Sequence, residues 1–205
     1  MAVGVCLSTL ESAGALAWVR LTALLMLGSV VAWWLPAAAL DWQPEWGWRQ
    51  PWRAFTAAWV HWSPAHLGVN LLAAAVVGAF GWAARVPLAQ TWAWLVAWPL
   101  THLGLLIQPE LAHYGGLSGV LHAGVALVCV SLLAKGPRAR RLVGAAVALG
   151  LLIKLVSERP FGPALQNWPG WDIALAPLAH TSGALAGLLC GATLWAWTRH
   201  RKQSL

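Results

Sequence analysis

Three short stretches of this 205-residue chain hold side chains that could act together on a carbonyl group. The first, His113-Tyr-Gly-Gly-Leu-Ser118-Gly119, is a glycine turn opening into an apolar segment, and it offers the hydroxyl of Ser118. The second, His180-Thr-Ser-Gly183-Ala-Leu-Ala-Gly187, offers an imidazole, with glycines three and seven residues further on. That small-residue stripe lets two helix backbones come close. If it packs against the Ser118 helix, neutral imidazole can take the serine proton as the oxygen attacks, so the hydroxyl need not ionise beforehand. The third stretch, Ser63-Pro64-Ala-His66-Leu-Gly-Val-Asn70, starts a helix with a capping serine and a proline at the first helical position. His66 and Asn70 then share one face, as two donors for a developing oxyanion. The Ser118 N–H belongs to a helix N-terminus, which favours anions, and Gly115, Gly116 and Gly119 let a substrate backbone approach. Each group also has a plain packing role open to it, since membrane bundles use serine, histidine and asparagine in interhelical hydrogen bonds.

The elements that must position these groups are apolar. The chain is 60% hydrophobic and 9% charged, against about half and about a quarter in soluble proteins. Six apolar runs, about 15–36, 64–84, 88–107, 117–134, 141–157 and 173–197, approach the roughly 20 residues needed to cross a bilayer. The expected fold is therefore an all-α polytopic membrane protein, a single domain over residues 1–205. Leu35-Pro-Ala-Ala-Ala39 imitates a signal cleavage site, but no basic region precedes it and five more spans follow, so the first run reads as a retained helix. The net charge of +7 is distributed by side and does not point to nucleic acid. With the N-terminus inside, Arg20, Arg85, Lys135, Arg138, Arg140, Arg141, Arg199, Arg201 and Lys202 lie inside and Arg49, Arg53, Lys154 and Arg159 outside, nine against four. That bias puts both termini in the cytoplasm and the motifs at the outer surface. Cys6, Cys129 and Cys190 read as free thiols.

The loops refine the expectation. Asp41 to Arg53 carries four tryptophans and suits the outer interface. Pro160 to Asp172, with three prolines and two glycines, is irregular and long enough to cap what lies beneath, and Asp172 is a candidate N-cap of the sixth helix. Glu11, Asp41, Glu45, Glu110, Glu158 and Asp172 all fall in termini or loops, which predicts a Ser-His dyad without a carboxylate. Lys154 lies near enough to a helix end to snorkel outward. Packing must then orient the ring, and His122, one turn below Ser118, and Ser182 are nearest in pattern. His61, His66, His113 and His180 match no common metal spacing, so no metal and no cofactor are expected. His102 and His200 read as structural or solvated. No internal repeat suggests a transporter.

Together these residues resemble the rhomboid family of intramembrane serine proteases. The resemblance is carried by Trp52-Arg53, His61-x4-His66-x3-Asn70, Gly116-Leu-Ser118-Gly119 and Ala179-His180-x2-Gly183-x3-Gly187, in the family's order along a six-helix chain. It implies a six-helix rhomboid-like bundle with Ser118 as nucleophile and His180 as general base and acid. It also implies an oxyanion hole of His66, Asn70 and the Ser118 N–H, supported by His61, Trp52, Arg53, Gly116, Gly119, Gly183 and His122. Many rhomboids carry tyrosine where this chain has His122. The run Gly116-Leu-Ser-Gly-Val-Leu-His-Ala-Gly124 looks most like the rhombosortase branch. That implies a bacterial inner-membrane enzyme opening to the periplasm, whose partners are membrane-anchored proteins with a C-terminal Gly-rich transmembrane tail. Its alternatives are a general rhomboid protease of other single-span substrates and an inactive rhomboid-like binding protein.

Overall fold

The structure, a computed structural model, describes residues 2–203, with side chains from residue 13 onward apart from Lys135 and Lys202. Six long helices account for most of it: α1 (Ala2–Ala32), α2 (Pro64–Ala84), α3 (Leu88–Leu103), α4 (Ser118–Lys135), α5 (Arg138–Ser157) and α6 (Pro177–Gln203). Among the described residues there is no strand, only the isolated bridges Trp42–Tyr114 and Gln166–Leu175. The Ala13–Ala32 part of α1 and the whole of α2 are long and apolar enough to cross a membrane.

Local chemistry explains most boundaries. Ser63 caps α2 by accepting the His66 N–H at 3.0 Å, with Pro64 in the first turn. The helix ends at Arg85, whose φ of 51° turns the chain sharply into Val86-Pro87 and α3. Pro99 lies inside α3 and removes an N–H there. The run expected at 88–107 is thus α3 followed by a 3₁₀ turn, Gly104–Ile107. The sixth helix begins at Pro177 and not near Ile173. Asp172 does not cap it; its Oδ1 accepts the Ser63 hydroxyl at 2.9 Å, pinning the 160–172 segment to the start of α2. Cys6 lies outside the described side chains, while Cys129 and Cys190 are free thiols.

α4 is the central helix, packed by α2, α3, α5 and α6, and Val120, Ala123, Leu127 and Val128 on it are buried. A tryptophan pair seats the bundle around it. Trp18 of α1 stacks on Trp94 of α3 with centroids 4.2 Å apart, and the indole N–H groups donate to Val77 O and Val120 O. Both buried indoles thus have the partner they need. Gly81 and Gly124 make room for them, since a Cβ would lie 2.1 Å from Trp18 and 2.8 Å from Trp94. The outer faces are apolar: Leu24, Leu27, Leu72, Val76, Trp92, Val96, Leu152, Ile153, Leu188 and Leu189 are all exposed. Apolar surface on this scale exceeds what soluble monomers show and suits lipid.

Candidate active site

Helix polarity gathers the motifs at one end of the bundle, where α2, α4 and α6 begin and α5 ends. The decisive packing is between α4 and α6. A Cβ at Gly183 would lie 1.9 Å from Gly119 O, at Gly187 2.3 Å from Ala123 O, and at Gly119 2.7 Å from Ala179 O. Only glycine allows that approach, and it sets His180 beside Ser118 with Nε2 2.9 Å from Oγ. Below them His122 stacks on His180, centroids 4.4 Å apart and planes 15° apart. Its Nδ1–H donates to Ser118 O at 2.7 Å, which fixes the ring that supports His180.

Sequence reasoning missed the partner of the other imidazole nitrogen. His180 Nδ1 is 2.7 Å from Glu158 Oε2, and the Lys154 ammonium bonds Glu158 Oε1. The expectation that no carboxylate reaches the site is corrected: Glu158 closes α5 and turns inward, with its side chain 13% exposed. The one available signal was the i, i+4 spacing of Lys154 and Glu158 at the end of an apolar helix. Burial pushes the Glu158 carboxyl upward, but the His180 hydrogen bond and charge and the Lys154 ammonium outweigh it and hold it at about 2. It is therefore a carboxylate at any physiological pH.

The expected oxyanion donors separate. His66 Nδ1 faces the Trp62 N–H at 3.4 Å, which leaves Nε2 as the protonated nitrogen. That nitrogen is aimed at Gly116, where a Cβ would lie 3.1 Å away and where φ is +149°, a conformation glycine accepts. His66, Ser118 and His180 line a cavity of about 40 Å³ together with Trp62, Leu165 and Gly115. Asn70 does not line it, and its amide donates to His66 O at 3.0 Å. His61 also stays outside. It bonds Trp59 O at 3.1 Å and packs against His66, and burial lowers its pKa to about 4.

Trp52 and Arg53 do not line the cavity. Trp52 is exposed, whereas buried Arg53 bonds Ala38 O, Asp41 O and Asp41 Oδ1 at 2.7–3.0 Å. Asp41 in turn holds His113 Nδ1 at 2.6 Å, and Trp42 exchanges two backbone hydrogen bonds with Tyr114. The Asp41–Arg53 loop thereby clamps the loop that delivers Ser118. The second clamp is the 160–176 segment, whose Leu165 and Ile173–Ala176 roof the cavity.

A comparison with known families matches the model described as Rhomboid domain over residues 48–197. The chain is also similar to Protein FptB of Pseudomonas aeruginosa, 41% identical over 86 residues that make up 39% of this chain and 92% of that protein.

Proposed function

The chain belongs to the rhomboid family of membrane proteins, and from that premise we propose that it is an intramembrane serine endopeptidase working through Ser118 and His180. The observation that carries this reading is the 2.9 Å contact between Ser118 Oγ and His180 Nε2 at the mouth of a cavity faced by His66. As Oγ bonds to the substrate carbonyl carbon, its proton passes to His180 Nε2 and the carbonyl electrons move onto oxygen. That oxyanion meets the Ser118 N–H at the start of α4 and the Nε2–H of His66. Collapse breaks the C–N bond, His180 returns the proton to the leaving amine, and a water molecule releases the acyl group by the same steps reversed in role.

In this reading all six helices cross the bacterial inner membrane as one domain over residues 1–205, with both termini cytoplasmic and the site open to the periplasm. The charge asymmetry and the apolar outer faces support it. The substrates are membrane-anchored proteins whose C-terminal transmembrane tail begins with a Gly-rich segment, as in the rhombosortase branch. A cavity of about 40 Å³, room for a water or two, favours residues without side chains beside the scissile bond. A Gly-rich segment also leaves its helix at lower cost than a Leu-rich one. An extended peptide needs more space than this, so the Pro160–Asp172 segment lifts and the Ser63–Asp172 bond opens as substrate enters beside α5. Ser118→Ala and His180→Ala should each abolish cleavage of a reconstituted Gly-rich tail substrate while the protein still inserts. Retained turnover in Ser118→Ala would exclude this mechanism.

A further inference from the structure

Glu158 stands where helix stability gives no reason for it. It follows the last turn of α5, at the negative end of the helix dipole, which disfavours a carboxylate. Its partner Lys154 precedes it by four residues, the less favourable order for an i, i+4 pair. Charges beside a lipid-facing bundle are costly unless they meet a partner, and the inward partner here is His180. We propose that Glu158 is the positioning residue of this site: its Oε2 accepts the Nδ1–H of His180, which directs the Nε2 lone pair at Ser118 and stabilises the imidazolium formed during attack. The inference rests on the peptidase reading.

The surrounding groups fit that role. The Nδ1 proton goes to the carboxylate at 2.7 Å, so the Lys154 ammonium, 3.4 Å from the same nitrogen, serves Glu158 Oε1 instead. Both carboxylate oxygens are then engaged and the carboxylate cannot rotate away. Facing His180 are Ser118 and His122 from α4, Lys154 and Glu158 from α5, and His66 from α2, whose neighbour across the cap is Asp172. Of these only Glu158 brings a negative charge into contact with the ring; Lys154 opposes the imidazolium and Glu158 offsets it. Glu158 carries no proton at any step, since the serine proton travels only to Nε2 and on to the leaving amine.

The test compares the full-length protein in liposomes with Glu158→Ala, Glu158→Gln and Ser118→Ala, using a single-span substrate with a Gly-rich tail. Glu158→Ala should lower kcat about a hundredfold or more with KM little changed, and move the acid limb of the kcat profile to lower pH. Glu158→Gln keeps an acceptor for Nδ1–H but not the charge, so it should lose less in kcat while showing the same pH displacement. A residue that merely braces α5 would lower the melting midpoint or the fraction of reactive sites and leave the acid limb in place; that result, or wild-type kcat in Glu158→Ala, overturns the proposal. Should Glu158→Ala fail to fold, the isosteric Glu158→Gln decides by the same pH criterion. Cleavage by Ser118→Ala at the wild-type rate would instead remove the Ser118–His180 mechanism on which the proposal rests, and no cleavage by the parent protein would remove the peptidase reading itself.

Discussion

Ser118 and His180 are 62 positions apart, yet their pairing was legible from single residues, because a hydroxyl after glycines and an imidazole above a glycine stripe have few other partners in so apolar a chain. Their neighbours were less legible. His66 and Asn70 look equivalent at i and i+4, but folding turns one ring into the cavity and spends the other side chain on a helix carbonyl. The two substitutions should therefore separate. His66→Ala should cost about 10²–10³ in kcat, the usual loss for an oxyanion donor, with KM nearly unchanged. Asn70→Ala should act mainly through stability, visible as a lower melting midpoint in detergent. Steady-state kinetics and melting on the same preparations distinguish the two. Glu158 was illegible because sequence fixes its depth along α5 but not the face on which it emerges.

At the scale of elements, the site depends on how closely α4 and α6 approach. A Cβ at Gly187 would sit 2.3 Å from Ala123 O, backbone that cannot yield unless the helices part. Gly187→Ala should destabilise by about 1–3 kcal/mol, as overpacking does, and should reduce cleavage by drawing His180 from Ser118. Gly150→Ala on α5 is the control: nothing lies within 4 Å of its Cβ, and removing a mid-helix glycine should stabilise by about 0.5–1 kcal/mol. Thermal melting in one detergent reads both signs. Boundaries followed the strength of their signals. Ser63-Pro64 starts α2 as the sequence requires, because serine side chain and proline ring act on the same turn. Asp172 was a misleading cap, since Pro177, the true first residue of α6, lies five positions further on and Asp172 is drawn to Ser63.

For the whole molecule, acid should first loosen the end of the bundle where α2 begins. His61 is buried and its pKa is lowered from 6.5 to about 4. Between those values the unfolded chain binds a proton there that the folded chain does not, so stability falls as pH drops through that window, by about 3 kcal/mol at most. Glu158 joins the decline only at its acid end, because its stabilisation is full well above its unfolded value of 4.5 and is lost as pH falls from there toward about 2. Melting midpoints between pH 7 and pH 4 should therefore decline, and His61→Phe should flatten the decline. The all-helical character was readable from composition, since long apolar runs broken by proline, glycine and charge favour helices packed on one another. The two clamps over the site were not, because they depend on Asp41, Arg53 and Asp172 finding partners in loops with no periodic pattern.

If His180 activates the Ser118 oxygen, covalent labelling of that oxygen must depend on His180. The protein in native membranes is treated with a fluorophosphonate and digested, and the adduct is located by mass spectrometry. A phosphonyl group is expected on Ser118 in the parent protein and none in His180→Ala. An adduct on another serine, or undiminished labelling of Ser118 without His180, would contradict that activation.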